Sequence, residues 1–313
     1  MASETKYLVT GGAGFIGSAV VRTVMQHGSV AVIDNLLTGH ERNLAGLQGK
    51  VELHRVDIRD FSLLQHLMQG VDTIFHLAAI PSVPRSIVEP EPCHTVNIDG
   101  TFNVMRAAQL TGVRRVVYAA SSSAYGDSEV LPKVETMTPH PKSPYALQKL
   151  VGEYYASVFH SCFGMETVSL RFFNVYGPRQ DPSSTYSGVL SLFMKHVLAR
   201  TTPTIFGDGE QSRDFTYVED VADLCWKASQ APGVAGRMYN AGNGGRYTLN
   251  QIWAMLQKME GVDLPPKFGP PRAGDVRHSM ADTTSAVRDL GHAPRFTMEE
   301  GLKRTLEWYR TAG

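Results

Sequence analysis

The chain has 313 residues, 30 Lys+Arg against 30 Asp+Glu, and 42% hydrophobic residues. That length is ample for a large core in one big domain or two modest ones. The zero net charge argues against a nucleic-acid partner, which shows as a basic excess, and the apolar content argues against disorder. No run approaches the roughly 18 apolar residues of a membrane span. The polar stretch from Met1 to Lys6 leads directly into Tyr7-Leu8-Val9 without a signal-peptide pattern. The expectation is therefore a cytoplasmic protein with no membrane partner. Cys93, Cys162 and Cys225 are too few and too scattered for a disulfide framework or a CxxC pair, and the 11 histidines show no HExxH spacing, so no metal is expected.

In chain order, Lys6 to Thr10 predicts a strand. The glycine-rich Gly11-Gly12-Ala13-Gly14-Phe15-Ile16-Gly17 follows, and apolar positions then recur at helical spacing to about His27. Further buried strands are predicted at 30–33, 51–56, 73–77, 115–120 and 166–172. Long helices are predicted from Pro92 to Gln109 and from Ser143-Pro144 to about Cys162. Apolar strands alternating with helices predict an α/β fold, a Rossmann-like doubly wound parallel sheet covered on both faces. Its carboxyl ends would present Gly11, Asp34, Asp57, Ala78, Ser121 and Phe173-Asn174, small or polar residues suited to a crevice. Beyond Asn174 the alternation fades and Pro and Gly become frequent. This predicts a dinucleotide-binding domain over 1–176, to which short segments near 214–245 return. A smaller mixed α/β substrate-binding domain would span 177–313.

The glycines follow a strand and open a helix, with Asp34 about 20 residues on, the context of a dinucleotide site. Gly11, Gly14 and Gly17 would let the backbone approach a pyrophosphate at the helix N-terminus, together with Phe15 and Ile16. Asp34 would accept from ribose hydroxyls and repel a 2′-phosphate, which points to NAD rather than NADP. Asn35 lies beside it, Asp57 and Ile58 would flank the adenine, and Leu77, Ala78 and Ala79 complete the expected cofactor set. Tyr145 and Lys149 lie four apart on a helix and share a face. A nearby ammonium and a positive nicotinamide ring would lower the tyrosine pKa and make it a base.

The GxxGxxG spacing together with Tyr145-Ala146-Leu147-Gln148-Lys149 resembles the extended branch of the short-chain dehydrogenase/reductase superfamily that acts on nucleotide sugars. The resemblance spans nearly the whole chain. It implies Tyr145 as catalytic base and Lys149 as its partner and a ligand of the nicotinamide ribose. It places Phe172 beside the nicotinamide and the third catalytic hydroxyl on Ser121, with Ser122 the alternative and Ser123 adjoining the substrate. Dehydratases and decarboxylases of the family carry an acidic residue at this segment. The serines here imply reversible oxidation and re-reduction at one carbon, which is epimerisation at C4 of a UDP-sugar.

The resemblance further implies Asn174, Arg213 and Arg272 at the diphosphate, Asp275 at a ribose hydroxyl, and Val189, Phe193, Thr204 and Phe206 around the uridine. Ser279 falls where residue size gates the sugar pocket. With Ser82 and Arg85, these stretches look most like the bacterial UDP-N-acetylglucosamine 4-epimerase branch, although Pro81 stands where that branch has a small residue. The substrates implied are UDP-GlcNAc/UDP-GalNAc and/or UDP-Glc/UDP-Gal. A UDP-glucuronate 4-epimerase, another nucleotide-sugar-modifying enzyme and, remotely, a non-catalytic dinucleotide sensor are the alternatives. A homodimer through the helices near 92–109 and 145–162 is also implied.

Overall fold

The computed structural model describes residues 5–181, 188–271 and 276–312. Strands and helices alternate through β1 (Lys6–Thr10), α1 (Phe15–Val24), β2 (Ser29–Ile33), β3 (Val51–His54), α2 (Phe61–Leu67) and β4 (Thr73–His76). Short helices α3 (Val83–Val88) and α4 (Pro90–His94) lead through a π-helical turn, Thr95–Gly100, into α5 (Thr101–Leu110). Then come β5 (Arg115–Ser121), α6 (Pro144–Phe163), β6 (Glu166–Phe172), β7 (Asn174–Tyr176), α7 (Val189–Leu198) and β8 (Thr204–Phe206). The remainder comprises β9 (Ser212–Arg213), β10 (Phe215–Tyr217), α8 (Val218–Gln230), β11 (Arg237–Ala241), β12 (Tyr247–Thr248), α9 (Leu249–Glu260), β13 (Lys267–Gly269), α10 (Thr284–Leu290) and α11 (Met298–Ala312).

Seven strands form one parallel sheet in the order β11–β6–β5–β4–β1–β2–β3. Successive residues of a strand face opposite sides, which explains why the inner strands β1, β2 and β4 are largely apolar and buried along their length. Val9 and Val32 pack toward Val20 and Val24 of α1 and Val221 of α8. Leu8 and Ile33 pack on the other face, with Met105 of α5 and Phe159 of α6. A separate apolar cluster joins α7, α9 and α11, with Phe193 against Trp253 at its centre. Among the described residues no helix is long and apolar enough to cross a membrane.

Four elements depart from the sequence expectation. β3 stops at His54, because the Val56 N–H turns back to the His54 carbonyl. α1 ends at Val24 rather than near His27, where tighter turn bonds close it. The helix expected over 92–109 starts at Pro90 and is interrupted by the π turn, within which Asn97 bonds outward to other segments. The sheet also has a seventh strand, β11, not among the strands predicted one by one although it lies within the 214–245 stretch expected to return to this domain, and it pairs with β6.

Candidate active site

β2 and β3 lie on one side of β1, and β4 lies on the other. The crevice of a doubly wound sheet opens at this reversal, beyond the carboxyl ends of the strands. There Gly11 has φ +72°, and a Cβ on it would lie 2.7 Å from the Ala78 nitrogen. A Cβ on Gly17 would lie 2.0 Å from the Gly11 carbonyl oxygen, so only glycine lets α1 start this close to the end of β1. Gly14 caps α1 without a side-chain acceptor. The first-turn N–H groups, in the Phe15-Ile16-Gly17 segment, are thus backbone donors of the kind that can receive a pyrophosphate.

Asp34 is buried and braces this cradle. It accepts from the Ala13 N–H at 2.9 Å and the Leu36 N–H at 2.8 Å. Burial pushes its carboxyl up, and these bonds oppose the rise. The exposed Asn35 amide donates to Asp57 at 2.8 Å. Arg59 holds the Asp57 carboxyl down at about 2, and Ile58 is buried beneath. Leu77, Ala78, Ala79 and Phe172 are half-buried along the rim. A glycine cradle, an uncapped helix start and a braced carboxylate fit NAD, and these residues would hold it.

α6 carries the candidate pair Tyr145 and Lys149. Ser143 caps it by accepting from the Ala146 N–H at 3.2 Å, Pro144 fixes the first turn, and Gly164 at φ +67° ends it. Tyr145 and Lys149 face the end of β5. The Tyr145 side chain lies beside Ser121, whose oxygen accepts from the Ser123 hydroxyl at 2.8 Å. Ser122 opens the single turn that follows β5. Burial raises the Tyr145 pKa above its usual value, and the neighbouring Ser121 side chain opposes the rise. Lys149 is the group expected to lower it. Its ammonium donates to the Ala119 carbonyl at 2.8 Å, and burial brings its own pKa down to about 8.

A buried polar chain not foreseen from the sequence backs this site. Thr10 Oγ1 bonds His76 Nδ1 at 2.7 Å, and His76 Nε2 bonds Thr101 Oγ1 at 3.0 Å. The Thr101 hydroxyl donates to the Asn97 carbonyl. The Asn97 amide then donates to Gln148 Oε1 at 2.8 Å, between Tyr145 and Lys149 on α6. A histidine and two threonines within otherwise apolar strands and helices were the available signal.

On the substrate side, Ser82 caps α3 and Arg85 pairs with Glu89 at 2.9 Å. The Ser86 hydroxyl accepts from the Tyr145 N–H at 3.1 Å and ties α3 to the start of α6. Asn174 is exposed at the head of β7, and its N–H donates to the Asp214 carbonyl. Arg213 donates to the carbonyls of Ser212 and Arg277, and the Ser279 N–H donates to the Ser212 carbonyl. These contacts bring Asn174, Arg213 and Ser279 onto adjoining segments. Thr204 is exposed and Val189 and Phe206 are half-buried, whereas Phe193 lies in the α7–α9 core. Arg272 and Asp275 lie outside the described residues. No group of three metal-ligating side chains occurs among the described residues.

Residues 7–242 match the NAD dependent epimerase/dehydratase family. The chain is 38% identical to a UDP-glucose 4-epimerase of Mycolicibacterium smegmatis, over 97% of this chain and 98% of that one. Its fold superimposes on UDP-glucose 4-epimerase of Thermotoga maritima, solved with UDP-glucose, at TM-score 0.94 and 37% identity, covering 98% and 99% of the two chains. It likewise matches a UDP-N-acetylglucosamine 4-epimerase of Methanobrevibacter ruminantium, solved with UDP-N-acetylmuramic acid, at TM-score 0.95 and 34% identity, covering 99% of each chain. The crevice glycines, the α6 Tyr/Lys pair and these full-length likenesses converge: the chain is an NAD-dependent enzyme and belongs to the NAD dependent epimerase/dehydratase family.

Proposed function

We propose that this enzyme interconverts the C4 epimers of a UDP-hexose, acting on UDP-GlcNAc/UDP-GalNAc, on UDP-Glc/UDP-Gal or on both. The observation that carries the reading is the placement of Tyr145 beside Ser121, in a segment, Ser121 to Ser123, that holds no carboxylate. A site that expels water from the sugar needs an acid there, whereas simple oxidation and return at C4 does not.

Tyr145 is the proposed base toward the C4 hydroxyl. Its phenol stays protonated at neutral pH while burial dominates. NAD+, when bound, supplies the hydride acceptor and a positive ring beside the tyrosine. Ser121, oriented by Ser123, shares the C4 oxygen with Tyr145. Lys149, whose ammonium donates to the Ala119 carbonyl, keeps two further N–H donors that would serve the cofactor and the tyrosine. Asn174 and Arg213 grip the diphosphate through charge-assisted bonds, with Arg272 as a further candidate. Ser279, a small side chain, would leave the sugar room to present either face. The exposed apolar residues Phe102 and Leu110 of α5 and Leu147, Tyr154, Val158 and Phe163 of α6 support a homodimer through these helices.

The test is incubation with UDP-glucose, UDP-N-acetylglucosamine and UDP-glucuronate, with and without added NAD, followed by NMR of the products. A C4 epimer of one of the hexoses is expected. No C4 epimer from any of the three defeats the proposal, epimerisation of the glucuronate alone moves the enzyme to uronic acids, and a 4-keto-6-deoxy product makes it a dehydratase. Tyr145→Phe should abolish turnover in a folded protein.

A further inference from the structure

Asp214 follows Arg213 in the chain yet has no exposed surface at all. Its carboxylate gathers donors from three separate segments. Oδ1 accepts from the Asn243 N–H at 2.7 Å and from Thr216 Oγ1 at 3.4 Å. Oδ2 accepts from the Gly244 N–H at 3.0 Å and the Ala281 N–H at 3.1 Å. Its backbone carbonyl accepts from the Asn174 N–H at 3.0 Å. Gly242 is pressed against the same point, where a Cβ would lie 2.5 Å from the Ala281 Cβ and 2.8 Å from Asp214 Oδ2.

The segments tied here are those that carry the substrate-side residues. Asn174 begins β7, Arg213 ends β9, and Ser279 lies two residues before Ala281. A carboxylate suits the junction because both of its oxygens accept and every partner donates. An amide would turn an NH2 toward at least one N–H and leave that buried donor without an acceptor. We propose that Asp214 is the positioning residue of the nucleotide-binding half of the site: it fixes Asn174, Arg213 and Ser279 relative to one another and so sets the affinity for the UDP part of the substrate. This rests on the UDP-sugar reading above and adds to it a residue that does not itself touch substrate.

The test compares Asp214→Asn and Gly242→Ala with wild type by calorimetric titration with UDP, NAD content after purification, and KM and kcat. Gly242→Ala crowds the same junction without changing any charge, and serves if Asp214→Asn fails to fold. Both variants are expected to bind UDP at least tenfold more weakly and to raise KM more than they lower kcat, with NAD content unchanged. Asp220→Asn is the matched control. Asp220 is another buried carboxylate and accepts from the backbone N–H groups of Arg295 and Phe296, away from these segments. It should lose thermal stability without losing UDP affinity. Unchanged UDP affinity in the folded Asp214 and Gly242 variants overturns the proposal. So does loss of NAD in step with loss of UDP, which would mean general loosening. Failure of the wild type itself to bind UDP overturns the UDP-sugar reading, and this proposal with it.

Discussion

Gly17 and His76 each support a prediction that needs no neighbour to be altered. A methyl on Gly17 would have to occupy the space of the Gly11 carbonyl, 2.0 Å away, so Gly17→Ala must push α1 off the cradle. The expected result is a folded protein that copurifies with at least tenfold less NAD than wild type, read by absorbance after denaturation. His76 is enclosed and neutral, with its pKa lowered from 6.5 to about 3 by burial and by the Lys149 charge. Between those values the unfolded chain binds a proton that the folded chain refuses, so stability falls as pH drops through this window. The loss reaches about 2 kcal/mol at pH 5. Urea titrations at pH 7 and pH 5 should show this loss in wild type, and a smaller one by about that amount in His76→Gln. Equal losses in the two proteins would contradict the neutral, doubly bonded imidazole.

Among the elements, α6 shows how one helix serves both chemistry and fold. Tyr145, Lys149 and Glu153 recur every four residues along one face. Glu153 ends this row in a buried two-pronged pair with Arg171 of β6, at 2.9 and 2.8 Å, and Arg171 lies 4.5 Å over the Tyr125 ring. Removing one member of such a pair strands the other charge, so Glu153→Gln should cost about 3–5 kcal/mol by chemical denaturation. α6 was legible in the sequence because its start and stop are local: a Ser-Pro cap and a glycine in the left-handed region. The glycine loop and Asp34 were legible for the same reason. The interruption before α5 was not, because it accompanies bonds from Asn97 to Ile80 and Gln148, residues that nothing nearby in sequence identifies. Asp214 was passed over on similar grounds. An acid next to an arginine reads as surface until chain segments about 30 and 70 residues away close around it. Within the 214–245 stretch expected to return to the first domain, β11 was not singled out as a strand, since Arg237-Met238-Tyr239-Asn240-Ala241 lacks the continuous apolar run of the inner strands.

At the scale of the whole molecule, α6 leaves Leu147, Tyr154, Val158 and Phe163 between 48% and 57% exposed, and α5 adds the exposed Phe102 and Leu110, a large apolar face for a single chain. With the proposed pairing of two copies through this face, Val158→Glu should convert a dimer to a monomer by light scattering while NAD stays bound. A monomeric wild type would rule the pairing out. The late arrival of β11 in the sheet has a consequence for synthesis. β6 is complete at Phe172, but the strand that pairs with its outer edge ends at Ala241. While the ribosome makes the intervening residues, the nascent sheet carries a bare edge of unsatisfied backbone groups, the kind of surface through which incomplete chains join one another. Messages truncated between these two strands should therefore yield insoluble fragments rather than a dormant half-enzyme. Slow translation of this stretch should be costlier to the cell than a pause after Ala241.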